Sequence, residues 1–266
     1  RRHPVTTGAK DKAGVEADLP NGAVYPQLKG LVESGKISTD EIDAHVKKIL
    51  HFKFMTGLFE HPYADEAKAV EATRLESSKA LALEAAQKSI VLLKNKDNIL
   101  PLAKDKYKKI AVIGPDAKEI HLGSYPGVPW YGVSVLDGIK EKAGDAAEVL
   151  YAEGCKITTN DVPDSLAAWR KVERQTFPTK TENQALIDEA AKVAQQADLI
   201  VLVVGENELI SRESWGPSHV GDRDSIDLFG DQMDLARAMF ALGKPVVVYL
   251  VNGRPQAIAE LADKAD

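Results

Sequence analysis

The amino-acid sequence predicts an α/β fold built on a mainly parallel sheet with helices on both faces. Three segments are apolar throughout, at residues 110–113, 199–204 and 245–251. Segments whose apolar residues recur at helical spacing lie between them. Strands of a parallel sheet are covered on both faces by their connecting helices, so they are apolar along their whole length.

The first part of the chain contains a helix with a clear start signal. Ser38 and Glu41 have the spacing of a capping box, and apolar residues follow at helical intervals. We predict a helix at 39–56, and a second at 72–89, where Ala, Leu, Glu and Lys predominate. Residues 60–71, which mix charge, alanine and proline, are interpreted as a linker.

Strands and helices then alternate to the end of the chain. The predicted strands are 110–113, 148–152, 199–204 and 245–251, and the predicted helices are 133–142, 183–196, 232–242 and a start at 257–262. Ligands of open parallel sheets bind beyond the carboxyl ends of the strands. The loops after Ile113, Val204 and Val251 are therefore where a site is expected.

Composition excludes several classes of protein. The chain has 266 residues, 44% hydrophobic and 28% charged, which fits one or two globular domains. A formal net charge of −6 gives no reason to expect a nucleic-acid or membrane-surface partner, and no apolar run approaches the roughly 20 residues of a membrane span. Cys155 is the single cysteine, so we expect no intrachain disulfide and no thiolate metal site. We expect neither a bound metal nor a cofactor.

The loop at 205–230 is the most informative segment. It exceeds the roughly 12–15 residues of an ordinary loop, and it carries Glu206, Glu208, Glu213, Asp222, Asp224, Asp227, Arg212, Arg223, Trp215 and His219. A carboxyl group can protonate a glycosidic oxygen, and an aromatic face can stack on a sugar ring. The alternative is a solvated acidic lid held by structural ion pairs.

A second loop, at 121–132, combines glycines with Tyr125 and Trp130. It contains neither the G-x-G-x-x-G nor the G-K-[ST] pattern that cradles phosphates. A Rossmann-like nucleotide binder is therefore the interpretation that the sequence supports least.

Short segments along nearly the whole chain carry a resemblance in their order and spacing. They are GVEADLP at 14–20, KFMTGLFE at 53–60, EAA at 84–86, SIVLLKN at 89–95, LPL at 100–102, IAVIGP at 110–115, YAEGC at 151–155, VVGE at 203–206, GKPVVV at 243–248 and NGRP at 252–255. Together they resemble the family 3 glycoside hydrolases.

The resemblance implies a domain arrangement that is incomplete at both ends. Residues 1–59 are expected to end a (β/α)8-type catalytic barrel, and 60–108 to form a linker and the entry to a second domain. Residues 109–266 are expected to form most of an α/β/α sandwich domain.

The resemblance also implies hydrolysis of terminal β-linked sugars with retention, as part of a longer enzyme. Such chemistry needs two carboxyl groups about 5–5.5 Å apart. In the family the nucleophile is a barrel aspartate, expected upstream of Arg1, and the acid/base is a glutamate on a loop of the second domain. We assign the acid/base to Glu213, with Glu206 as second choice and Glu208 as a weaker third.

Four further residues are expected to contact substrate: Trp215, Arg223, Asp18 and Tyr125. Each has a structural alternative. Arg223 could orient Glu213 or pair with the aspartates of its loop, Trp215 and Tyr125 could pack within their loops, and the register around Asp18 and Glu16 stays open.

The expected partners are a small oligosaccharide or glycoside and the upstream barrel domain, with the oligomeric state left open. The isolated chain is expected to be nearly inactive. The resemblance is compatible with a periplasmic or secreted location, which the residues themselves do not fix. The alternative function is a non-catalytic α/β module that binds sugar or supports a barrel.

Overall fold

The computed structural model describes residues 14–18, 22, 25–73, 75–103, 106–123, 131–159, 175–211, 213 and 222–266. It divides into two compact units, Arg1–Ile90 and Val91–Asp266. The three-part division at residues 59 and 108 stays a prediction.

Helices make up the described regular structure of the first unit. A 3₁₀ turn at Tyr25–Gln27 leads into α1 (Leu28–Glu33), followed by α2 (Thr39–Met55), α3 (Glu66–Ala72) and α4 (Glu76–Ser89). The predicted capping box starts α2: the Ser38 hydroxyl accepts the backbone N–H of Glu41, and the Glu41 carboxylate accepts that of Ser38 at 2.8 Å. This reciprocal pair satisfies two amide groups that a helix start would leave without partners.

Helix α3 lies within the stretch that was interpreted as a linker, so residues 66–71 of that stretch are helical, and their role as a linker stays a prediction. The Asp65 carboxylate accepts the backbone N–H of Lys68 at 3.2 Å and so caps the helix. Most of the seven residues of the helix are alanine, glutamate or lysine, which have high helix propensity. Propensity and a cap together form the helix without a recognisable apolar stripe.

The described part of the first unit buries little apolar surface. Ile37 is the one buried apolar side chain there, whereas Phe52, Phe54 and Met55 of α2 are each at least 60% exposed. The apolar spacing therefore predicted the helix correctly but did not mark a buried face within the described residues. No strand occurs among them, and the assignment to the end of a barrel stays a prediction.

The second unit contains the predicted parallel sheet. Its strands are β1 (Lys109–Ile113), β2 (Glu148–Ala152), β3 (Leu199–Gly205) and β4 (Val246–Val251). They run in the order β2-β1-β3-β4, and every neighbouring pair is parallel. All seven residues of β3 are buried, as the uninterrupted apolar run predicts.

Helices cover both faces of this sheet, which confirms the predicted sandwich. They are α5 (Val135–Ala143), α6 (Lys180–Ala194), α7 (Gln232–Phe240) and α8 (Ala259–Lys264). One core packs α6, α7 and α8 against residues such as Ile200 and Leu202, and the other packs α5 against Val201 and Val203. Within the described residues, no helix is long and apolar enough to cross a membrane.

Glycines terminate the two central strands, and the backbone leaves no room for a larger residue. A Cβ atom on Gly114 would lie 1.8 Å from the carbonyl oxygen of Val203, and one on Gly205 would lie 1.8 Å from that of Val251. These close approaches let the chain leave β1 and β3 directly into the loops where a site is expected.

Candidate active site

The segments after β1, β3 and β4 lie together at the carboxyl edge of the sheet. Strand β3 pairs with β1 on one side and with β4 on the other, so the loops that follow the three strands are neighbours. This is the edge at which open parallel sheets bind ligands. Two clusters of charged side chains occupy it.

The first cluster centres on Glu206, the residue directly after β3. Its side chain is 1% exposed, and Oε1 lies 2.8 Å from Nη1 of Arg223 and 3.2 Å from Nε of Arg254. Its backbone N–H donates to the carbonyl of Val251 at 2.9 Å. The carboxylate is therefore held between two guanidinium groups, and its Oε2 has no hydrogen bond among the described residues.

In the part of the chain that the structure describes, the contacts of Arg223 belong to this cluster. Besides Glu206, it donates to the backbone carbonyl of Asp227, and its guanidinium lies 5.1 Å from the ring centroid of Phe229. The expectation that Arg223 orients Glu213 or pairs with aspartate carboxylates of its loop has no support in these contacts, because its described ion pair is with Glu206. A contact with substrate stays a prediction.

Arg254 is a site residue that the sequence did not single out, although its NGRP segment was noted. It follows β4, pairs with Glu206 and donates to the backbone carbonyl of Ile210. It therefore joins the segment after β4 to the loop after β3. The only signal in the sequence was its position just past a predicted strand end.

The second cluster, called the His121 cluster, consists of Asp116, His121 and Glu208. His121 Nδ1 lies 2.9 Å from Oε2 of Glu208, and Nε2 lies 3.2 Å from Oδ1 of Asp116. The other oxygen of Glu208 accepts the backbone N–H groups of Leu122 at 2.9 Å and Gly123 at 3.2 Å. Both carboxylates are buried, and the imidazole is largely so.

The two neighbouring carboxylates keep the imidazole of His121 protonated. Burial favours the neutral imidazole, but the ion pairs with Asp116 and Glu208 outweigh it and raise the pKa of His121 to about 10. Burial raises the pKa of Asp116. Burial acts in the same sense on Glu208, but hydrogen bonds from His121 and from backbone amides lower its pKa overall. His121 is therefore an imidazolium at neutral pH.

The backbone between Glu206 and Ser211 has further anchors. The Asn207 side chain accepts the N–H of Leu209 at 3.1 Å and donates to the Thr158 hydroxyl at 3.1 Å. Gln175 donates to the carbonyl of Leu209 at 2.8 Å. The loop after β3 thus leaves the sheet along a fixed path for its first six residues.

Glu213, the predicted acid/base, is exposed and lies two residues beyond this anchored stretch. Its neighbours at 212 and 214–221 lie outside the described residues, as do Trp215 and His219. Tyr125 and Trp130 of the loop after β1 are outside them as well. The described contacts therefore fix the point at which the segment that carries Glu213 leaves the anchored stretch. The roles of Trp215 and Tyr125 stay predictions.

Asp18 and Glu16 belong to the first unit. Asp18 Oδ2 accepts the backbone N–H of Tyr25 at 3.3 Å, and Glu16 is paired with Lys48 and His45. The hydrogen bond from Lys48 lowers the pKa of Glu16, and the hydrogen bond from His45 lowers it further. Local contacts account for both carboxylates, and a substrate contact of Asp18 stays a prediction. Among the described residues, no group of three or more potential ligands is arranged to hold a metal ion.

Comparisons with known proteins agree with the fold. The model of the glycosyl hydrolase family 3 C-terminal domain matches residues 90–266. A β-xylosidase of Formosa agariphila is 38% identical over 95% of this chain, and a periplasmic β-glucosidase of Salmonella typhimurium is 37% identical over 96%. The chain spans 33% of each of these two relatives.

Solved structures give the same result. A β-glucosidase from Erythrobacter marinus superposes with a TM-score of 0.84 at 37% identity, covering 97% of this chain and 35% of that one. A β-glucosidase from Listeria innocua superposes with a TM-score of 0.73 at 30% identity, covering 98% and 32%. The likeness extends over nearly all of this chain and about a third of each neighbour.

Proposed function

The chain belongs to glycosyl hydrolase family 3, and from that premise we propose that it supplies the acid/base part of a retaining glycosidase that releases terminal β-linked sugars. The proposed substrate is a small oligosaccharide or a glycoside. Because the chain spans about a third of the relatives it matches, the activity is proposed for a longer enzyme that contains it. The upstream barrel domain is the proposed partner within that enzyme.

Retention requires a nucleophile and an acid/base, both carboxyl groups. We assign the acid/base to Glu213 and the nucleophile to an aspartate of the proposed barrel, outside this chain. In the first step the Glu213 carboxyl would donate its proton to the glycosidic oxygen as the sugar transfers to the nucleophile. In the second step the same carboxylate would take a proton from the attacking water.

The observation that carries this assignment is the contrast between Glu213 and Glu206. Glu206 is buried and shares one oxygen with two guanidinium groups, so it is committed to holding three segments together. Glu208 is likewise committed, to His121 and to two backbone amides. Glu213 is exposed and lies just beyond the anchored stretch, where a proton donor could face a ligand.

Substrate contacts of Trp215, Tyr125, Asp18 and Arg223 belong to the same proposal, as does a periplasmic or secreted location. The location is supported by the name of the Salmonella relative. Of the four contacts, that of Arg223 has the least support, since its guanidinium is already engaged by Glu206 and Phe229.

The test is the substitution Glu213→Gln in the full-length enzyme, measured with an aryl β-glycoside whose leaving group needs protonation. We expect kcat to fall by roughly 10²–10⁴-fold, the usual contribution of a general acid. The matched control is Asp224→Asn, an exposed carboxylate in the same loop, which should keep near-normal turnover. Near-normal turnover by Glu213→Gln would overturn the assignment.

A further inference from the structure

The His121 cluster joins two loops that leave the sheet at adjacent strands, and the proposed reaction does not use it directly. Asp116 and His121 belong to the segment after β1, whereas Glu208 belongs to the segment after β3. Among the described residues, the hydrogen bonds between these two segments all end on the Glu208 carboxylate. This one side chain is therefore the described link between the loops.

Glu208 lies at the point from which two functionally assigned segments depart. Its Oε1 fixes the amides of Leu122 and Gly123, the last described residues before the segment at 124–130 that carries Tyr125. Its own backbone lies five residues before Glu213. The carboxylate of Glu208 is thus adjacent to both segments, the one proposed to contact substrate and the one proposed to transfer the proton.

The chemistry of the cluster favours a fixed geometry. Glu208 is 6% exposed, and its two oxygens accept three donors, one of them an imidazolium. Hydrogen bonds to a charged group of this kind are shorter and about twice as strong as neutral ones. Asp116 lies 3.2 Å from the far nitrogen of the same ring, an ion-pair distance without hydrogen-bond alignment, so turning the imidazole would disturb an ion pair on each side.

We propose that Glu208 and His121 are positioning residues, which lock the loop after β1 to the loop after β3 and thereby set the place of Glu213 relative to the glycosidic oxygen. The part that concerns Glu213 rests on the proposed function. Neither side chain is assigned a contact with substrate. A misplacement of about 1 Å at a reacting group can cost roughly 100-fold in rate, so a link of this kind is relevant to catalysis.

The experiment uses Glu208→Gln in the full-length enzyme, with His121→Gln as a second variant in case the first does not fold. The matched control is Asp198→Asn. Asp198 also accepts two backbone amides, those of Lys108 and Lys109 at 2.9 Å each, but it does so at the opposite, amino end of β1. Variant and control therefore each neutralise a carboxylate that accepts two backbone amides, at opposite edges of the sheet.

The first readout is kcat/KM for a series of aryl β-glycosides, from 2,4-dinitrophenyl to unsubstituted phenyl. Only the poorer leaving groups depend on a well-placed proton donor. We expect Glu208→Gln to lose roughly 100-fold on the phenyl glycoside, only a few-fold on the dinitrophenyl glycoside, and Asp198→Asn to lose equally little on both. An equal loss across the series would show a merely structural role and overturn the proposal.

The second readout is hydrogen exchange of the peptide that contains Leu122 and Gly123, in Glu208→Ala and Asp198→Ala, because Gln and Asn would keep an oxygen that accepts backbone amides. Exchange there should be faster in Glu208→Ala and unchanged in Asp198→Ala. Unchanged exchange in Glu208→Ala would overturn the link between the loops, whatever the kinetics. If the unsubstituted enzyme cleaves none of the glycosides, the proposed function fails instead, and the exchange result still decides whether the link exists.

Discussion

Two glutamates of one loop have opposite environments, and on this difference we base the proposal that Glu213 rather than Glu206 is the acid/base. Glu206 is buried between Arg223 and Arg254, whereas Glu213 is exposed. The sequence could name both candidates, because both follow an apolar strand in an acidic loop. It could not show that Glu206 is paired, since Arg254 follows β4 and reaches Glu206 only through the strand order. Arg223 reaches Glu206 from 17 positions further along the same loop.

The His121 cluster predicts a pH dependence of folding stability. The folded-state pKa of His121 is about 10, above its ordinary value of 6.5, so the folded protein binds the proton more tightly. The stabilisation is fully present below the unfolded pKa of 6.5 and is lost as pH rises through about 10. The groups that face the ring are Asp116 and Glu208, and the negative charge of Glu206 acts on Asp116.

Urea unfolding of the chain and of His121→Gln, compared between about pH 6 and pH 10, checks this dependence. The stability advantage of the unsubstituted chain should shrink as pH rises. Other groups that titrate in this range are common to both proteins and cancel in the difference. An advantage that stays constant or grows with pH would contradict the assigned charge of His121.

At the scale of elements, the ends of the central strands tolerate no side chain larger than that of glycine. Gly205→Ala places a Cβ atom 1.8 Å from the Val251 carbonyl, and neither backbone can yield without breaking the β3–β4 pairing. We expect a loss of about 3 kcal/mol or more in the free energy of unfolding. The control is Gly138→Ala in α5, where the added methyl meets Val133 at an ordinary 3.6 Å and should stabilise the helix by about 0.5–1 kcal/mol.

Urea titration of both variants measures these changes. Equal stabilities for Gly205→Ala and the unsubstituted chain would mean that the strand end is looser than the structure shows. A destabilised Gly138→Ala would mean that the control helix packs more tightly than described, so the two variants test separate elements.

The sequence predicted the strands within a residue or two. For the buried central strands β1 and β3 the signal was an uninterrupted apolar run, which is typical of a parallel strand covered on both faces. Helix starts were less accurate. Helix α6 begins at Lys180, three residues before the predicted start, because Thr179 and Glu182 form a capping box. That T-x-x-E signal was present in the sequence and could have corrected the boundary.

The pairings at the site could not be predicted in the same way. Glu208 meets His121 across 87 positions of sequence, and Arg254 meets Glu206 from beyond the next strand. Such contacts follow from strand order and register, which local patterns do not contain. The acidic loop could therefore be predicted as a site from the sequence, but its ion pairs with residues after β1 and β4 could not.

At the scale of the whole molecule, the described residues of the two units differ in how much apolar surface they bury. The second unit has a core on each face of its sheet, whereas the described residues of the first bury one apolar side chain. The chain also spans about a third of the relatives it matches. We therefore expect the chain alone to turn over little or no aryl glycoside, and tests of catalysis belong in the full-length enzyme.

The most direct test of the central claim is azide rescue of alanine variants in the full-length enzyme with 2,4-dinitrophenyl β-glycosides. This leaving group needs no acid, and azide attacks the glycosyl-enzyme without needing a base, so rescue identifies the acid/base residue. We predict that azide accelerates Glu213→Ala and yields a β-glycosyl azide, while Glu206→Ala gains nothing. Rescue of Glu206→Ala, with none of Glu213→Ala, would contradict the assignment.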